Sequence, residues 1–84
     1  MNGRQKRTLI AIFRDPVPSN IVWADVESLL LAVGCVAVEG SGSRVRFERD
    51  GLLAFFHRPH PEKEAKRYQV RDARRFLIEM GIYP

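Results

Sequence analysis

The sequence predicts an α+β fold in which a three-stranded antiparallel sheet carries two helices on one face, with an extra helix at the N-terminus. Two segments, residues 22–33 and 69–80, place apolar residues at helical spacing and predict the two covering helices. The segment between them is divided into three short runs by Gly40–Gly42 and by Asp50-Gly51, which are turn signals. The element order is therefore helix, three strands, helix, preceded by one more helix.

The length and composition indicate one small globular domain. A chain of 84 residues buries only roughly two-thirds of the surface that it exposes when unfolded, so one thin core is expected. We predict a single domain over residues 1–84, in which 1–18 are an N-terminal extension and 19–84 are the core. No deep pocket, phosphate-binding glycine loop or pair of buried carboxylates is expected, which argues against a metabolic enzyme.

The chain has one cysteine, Cys35, so neither an internal disulfide nor a cysteine-based zinc site can form. This suits the reducing environment of the cytoplasm, which is the predicted location. No segment has the length of a transmembrane helix. We expect no metal, no small-molecule cofactor and no membrane contact.

Both N-terminal helices are predicted from apolar stripes and from the residues that end them. The first covers residues 4–14 and ends because two prolines follow it. The second covers residues 22–33 and ends at Gly34. Its stripe contains Trp23, Val26, Leu29, Leu30 and Val33. Because Trp23 is in register with this stripe, we interpret it as a core residue and not as a platform for stacking bases.

The three strands are predicted over residues 35–39, 43–49 and 52–57. In the second strand, alternation places Val45 and Phe47 on the inner face, with Arg44 and Arg46 on the opposite face. The apolar residues of the third strand are too continuous for its two faces to be assigned.

A polar loop over residues 58–67 is predicted to lead into the last helix, residues 69–80, which Gly81 ends. The outer side of this helix is predicted to carry Arg71, Arg74, Arg75 and Ile78. The expected core residues are Trp23, Val26, Leu30, Val33, Val45, Phe47, Phe76, Leu77 and Met80. The whole arrangement is the one found in double-stranded-RNA-binding domains.

The charge is asymmetric along the chain. The formal net charge is +4 and the pI is about 9.8, and ten of the 14 basic residues lie at or after Arg44. Such a bias suggests a polyanionic partner for the C-terminal half. Acidic residues are interleaved with the basic ones, so an ordinary solvated surface is the alternative interpretation.

Several short motifs occur in an order that resembles the HicA family of small bacterial RNA-cleaving toxins. They are Gly42-Ser43 followed by Phe47, then Pro59-His60, the basic loop residues Lys63, Lys66 and Arg67, and the closing helix from Arg74 to Gly81-Ile82. The resemblance covers residues 22–82. It implies a toxin of a type II toxin–antitoxin system, an endoribonuclease (mRNA interferase) with messenger RNA as its target, and a HicB-like antitoxin as its protein partner.

The sequence departs from the family pattern at Arg44. The resemblance implies a catalytic histidine directly after the serine, where an imidazole could exchange protons with the RNA near neutral pH. Arg44 stays protonated and cannot act as a base, although its planar guanidinium could hold a phosphate. We therefore expect weak or lost ribonuclease activity.

His57 and His60 are the other candidates for acid–base catalysis. Alternatively, they are surface histidines at the end of a strand, and without a carboxylate partner they make a poor metal site. The leading prediction is an RNA-binding protein that uses strand and helix residues. These are Ser43, Arg44, Arg46, Arg58, Lys63, Lys66, Arg71, Arg74 and Arg75. The alternative is a non-catalytic interaction module whose basic face binds an acidic protein.

Overall fold

The computed structural model describes residues 1–84 and confirms the predicted α+β fold. The helices are α1 (Gly3–Ile12), α2 (Trp23–Ala32) and α3 (Arg67–Glu79), and the strands are β1 (Val36–Glu39), β2 (Arg44–Arg49) and β3 (Leu52–His57). β3 has the predicted bounds, and the other elements differ from the predicted ones by one or two residues at their ends. None of the helices combines the length and the apolar character needed to cross a bilayer.

The sheet is antiparallel in the order β1-β2-β3, so β2 is its central strand. The register pairs Arg44 with His57 and Arg46 with Phe55. Asp50-Gly51 joins β2 to β3, and its φ angles of 50° and 83° are both positive, as the predicted two-residue hairpin turn requires. This turn fixes the register, because a shift of one residue would exchange the two faces of β3.

One apolar core lies between the helices and the inner face of the sheet. Seven of the nine predicted core residues are buried, namely Trp23, Val26, Leu30, Val45, Phe47, Phe76 and Leu77. The prediction is wrong for Val33 and Met80, which are only half-buried. They are the C-terminal cap residues of α2 and α3, where the chain turns away from the core.

The N-terminal helix α1 shares this core. Leu9 and Ile12 are buried in the same apolar cluster as the strands and the other helices. On its partly exposed side, the Gln5 side-chain amide donates to Ser28 Oγ of α2 at 3.0 Å. α1 is therefore attached to α2 by both apolar and polar contacts.

The connection before α3 differs from the predicted polar loop. Ala65 is buried, and its N–H donates to the carbonyl of Ile21 at 2.7 Å. The N–H of Trp23 in turn donates to the carbonyl of Lys63 at 2.8 Å. The segment therefore lies extended against the entry of α2, which satisfies backbone groups that a free loop would leave to water.

Candidate nucleic-acid interface

The face of the sheet that points away from the helices is open, and we call it the outer face. Side chains alternate along each strand, so the neighbours of the buried residues point outward. The outer face comprises Val36, Val38, Arg44, Arg46, Glu48, Leu53, Phe55 and His57. It combines basic, aromatic and aliphatic side chains, and no helix covers it.

At one end of the outer face, Arg44 of β2 and His57 of β3 are cross-strand partners. Ser43 Oγ lies 3.5 Å from His57 Nδ1, at the outer limit of a hydrogen bond. The Arg58 N–H donates to the Ser43 carbonyl at 2.8 Å, which closes the strand pair at this point. The consecutive residues Ser43 and Arg44 thus meet His57, which lies on the next strand, at one exposed position.

A shallow groove of about 410 Å³ adjoins this position, between the Gly40–Ser41 turn and β3. Arg44, Arg46, Phe55 and His57 are among its lining residues. Arg46 Nε donates to Glu48 Oε2 at 3.1 Å, whereas Arg44 forms no ion pair. Arg44 therefore presents a guanidinium without a carboxylate partner to an anionic ligand.

The buried amide of Gln69 holds the backbone at the end of β3. Gln69 is 2% exposed, and its Nε2 donates to the His57 carbonyl at 2.6 Å. Its Oε1 accepts from the N–H of Lys66 at 3.0 Å, which caps α3 and starts it two residues earlier than predicted. Sequence reasoning missed Gln69, although a polar residue on the apolar side of an amphipathic helix is a usable signal.

Arg58, predicted to contact RNA, is engaged by two carboxylates. Its Nε donates to Glu27 Oε2 at 2.7 Å, and its Nη2 donates to Glu39 Oε2 at 2.8 Å. The Trp23 indole also donates to Glu27. The hydrogen bond from Arg58 lowers the pKa of the Glu39 carboxyl, and hydrogen bonds to Glu39 and Glu27 raise the pKa of the Arg58 guanidinium. Arg58 therefore links α2 to the last residue of β1.

Arg74 does not extend from the outer side of α3 as predicted. Its side chain is 20% exposed and reaches the C-terminal end of α1. Nε donates to the Ile12 carbonyl at 2.8 Å, and Nη2 donates to the Arg14 carbonyl at 2.6 Å. The guanidinium also lies over the Phe13 ring, 5.8 Å from its centroid. No further helical turn follows to donate hydrogen bonds to these carbonyls, so the Arg74 guanidinium donates them instead.

We expect Arg74→Ala to lower the free energy of unfolding by about 1–3 kcal/mol, because the substitution leaves the carbonyls at the end of α1 and just after it without their charged donor. Urea denaturation would measure the loss. Arg75→Ala is the matched control, since the Arg75 side chain is 69% exposed and pairs only with Asp72, at 3.2 Å. That control should stay within about 0.5 kcal/mol of the parent protein. Equal losses in the two variants would contradict the structural role of Arg74.

The remaining predicted site residues lie on exposed parts of the surface. Phe55 and Arg75 line a groove of about 230 Å³ along the free edge of β3, so Arg75 is reachable from the outer face. The others are Lys63, Lys66, Arg71 and the candidate catalytic residue His60. His60 makes no hydrogen bond within the protein, whereas His57 lies beside Ser43 and Arg44. The structure therefore places one of the two candidate histidines, His57, next to the Gly42-Ser43 motif.

No three histidine, cysteine or carboxylate side chains come together as potential metal ligands. Cys35 is buried, and burial raises the pKa of its thiol. Near Arg44 on the outer face, the His57 imidazole is the side chain suited to general acid–base catalysis.

Comparison with known proteins gives one match. A family model described as the HicA toxin of bacterial toxin–antitoxin systems matches residues 23–82, more than two-thirds of the chain. The matched segment runs from the start of α2 past the end of α3 and includes Ser43, Arg44 and His57. No curated protein and no solved structure matches the chain.

Proposed function

Because the chain belongs to the HicA family of bacterial toxin–antitoxin toxins, we propose that it binds messenger RNA on the outer face of its sheet. The observation that supports this proposal most directly is the exposed arrangement of Ser43, Arg44 and His57. Arg44 has no ion-pair partner and can hold a phosphate with two parallel hydrogen bonds. Arg46 and Arg75 add guanidinium groups on the outer face and at the β3 edge, each in an exposed ion pair that a phosphate could replace.

We propose that the protein cleaves RNA weakly or not at all. Cleavage by a 2′-hydroxyl needs a group that accepts a proton from that hydroxyl and another that donates one to the leaving oxygen. Arg44 remains charged and cannot exchange protons near neutral pH. His57 supplies a single imidazole, and no carboxylate hydrogen-bonds to it. The site is thus equipped to hold a phosphate and lacks a second proton-transfer group.

The protein partner of a toxin from a toxin–antitoxin system is an antitoxin. We propose a HicB-like antitoxin that covers the outer face and so competes with RNA for Arg44 and Arg46. Opposite charge would steer such a partner to the same basic surface that binds phosphates. Messenger RNA as the target places the toxin in the cytoplasm.

Arg44→Ala tests the RNA interface. Each lost phosphate contact removes about 0.7 from the slope of log affinity against log salt for a single strand, so we expect weaker binding and a flatter salt dependence. The measurement is a titration of a labelled RNA oligonucleotide at several salt concentrations. Arg7→Ala is the matched control, because it removes the same charge from an exposed position on α1, outside the family match.

An unchanged salt slope for Arg44→Ala, or an equal change for Arg7→Ala, would contradict the proposed interface. If the parent protein fails to bind RNA even at low salt, the proposed function itself is wrong. That result would favour the alternative, in which the basic face binds an acidic protein.

A further inference from the structure

Phe55 is the most exposed large apolar side chain of the protein, at 69%. The other two aromatic residues of the sheet, Phe47 and Phe56, are buried on the inner face and contact each other at a centroid distance of 6.2 Å. Phe55 has no aromatic neighbour and presents its ring on the outer face. An unpaired ring on an uncovered sheet face is available to stack on a ligand.

The immediate neighbours of Phe55 on the outer face indicate what its partner is. Arg46 is its direct cross-strand partner, and Val38 follows on β1 in the same row. The next row contains Arg44 and His57. The Phe55, Arg44 and Arg46 side chains therefore line one groove. One exposed ring with cations nearby complements a base and the phosphates next to it.

We propose that Phe55 stacks on an unpaired nucleobase while Arg44 and Arg46 hold the neighbouring phosphates, so that the ligand is single-stranded RNA. This inference rests on the proposed function and specifies its substrate class. Sheet faces with exposed aromatic residues bind bases that are splayed out of a strand. A duplex keeps its bases stacked within the helix, where a ring on a sheet face cannot reach them.

The position of the apolar side chains favours RNA over a protein partner. Leu53, the other exposed apolar residue of β3, pairs across the strands with Glu48 and not with an apolar residue. Phe55 itself pairs with Arg46, and the next row holds Arg44 and His57, whereas the centre of a protein–protein interface is depleted of charge. An antitoxin or a second copy of the chain would be the alternative occupant.

The test is the binding of an unstructured single-stranded RNA oligonucleotide and of an RNA duplex of equal length. Phe55→Ala should weaken single-strand binding about 5- to 100-fold, the loss typical of one stacked base, and leave the salt slope unchanged. Phe55→Leu should lose affinity as well, because leucine keeps apolar area without a ring face, whereas Phe55→Trp should retain it. Leu31→Ala, which removes an exposed apolar side chain of α2 away from the outer face, is the control and should bind as the parent does.

A second measurement uses the same single strand with abasic positions, which keeps the phosphates. The parent protein should bind it as weakly as Phe55→Ala binds the intact strand, and Phe55→Ala should show no further loss. Equal losses for the strand and the duplex, or full affinity in Phe55→Leu, would overturn the stacking role. If Phe55→Ala binds RNA normally but changes self-association or antitoxin binding, the face is a protein interface. Absence of RNA binding in the parent would instead overturn the proposed function, and this inference with it.

Discussion

Arg44→His should raise RNA cleavage by about a hundred- to ten-thousandfold, the usual contribution of general acid–base catalysis. The substitution places an imidazole directly across the strand pair from His57 and next to Ser43. One imidazole can then accept the proton of the ribose 2′-hydroxyl as that oxygen attacks the phosphorus. The other, protonated, can donate its proton to the 5′-oxygen as the phosphorus–oxygen bond breaks.

The pH dependence of cleavage would identify this pair. An acid–base pair of imidazoles works only while one is neutral and the other is protonated, so activity should pass through a maximum near neutral pH and fall on both sides. Initial rates on a single-stranded substrate across a range of pH would measure it. Arg44→Lys keeps the charge without a proton shuttle and should remain as inactive as the parent protein.

Alanine substitutions in the Arg44→His background distinguish the contribution of His57 from that of His60. His57→Ala should remove most of the gained activity, whereas His60→Ala should have little effect, because His60 lies in the connection after β3. A parent protein that is already active, and that His57→Ala silences, would mean that His57 suffices without residue 44. Strong parent activity that survives both alanine changes would contradict both accounts.

Phe47→Ala should lower the free energy of unfolding by about 3–5 kcal/mol, the usual loss when a buried phenylalanine is truncated. Phe47 is 0% exposed at the centre of β2, and its ring contacts Phe56 on the inner face. The cavity cannot close easily, because the surrounding core side chains belong to both the sheet and the helices. Urea denaturation of the purified protein would measure the difference.

Phe55→Ala is the matched control for this substitution, since it removes the same side chain from the opposite face of the sheet. Its ring is exposed, so its loss should change the free energy of unfolding by no more than about 0.5 kcal/mol. Similar values for the two variants would mean that the assignment of inner and outer faces is wrong. The pair therefore tests the strand register independently of any RNA measurement.

The parts of the fold that could be predicted are those with a periodic signal. The stripes of α2 and α3, the alternation of Val45 and Phe47, and the Asp50-Gly51 turn each specify local structure within a few residues. β3 has no alternating pattern, so its faces could not be assigned. Phe55 was therefore missed, and so was the pairing of His57 with Arg44, which depends on the register.

The arginines illustrate the other limit of sequence reasoning. Arg58 and Arg74, like Arg44, are basic residues of the C-terminal half and were predicted to bind RNA. Their partners, however, lie far away along the chain, at Glu27 and Ile12 respectively. A basic residue near a motif does not reveal whether a carboxylate or a carbonyl from another element already binds it. Only the folded arrangement separates the arginines that hold the protein together from those that remain free for a ligand.

The place of α1 in the core bears on how this protein could be recombined with others. The family match begins at Trp23, but Leu9 and Ile12 of α1 are buried in the same core as the matched segment. The segment that matches the family model is thus shorter than the segment that forms the hydrophobic core. A chimaera that transplants only the matched segment would carry an uncovered apolar surface where α1 lies, so modular exchange would have to include α1 or replace that surface with polar residues.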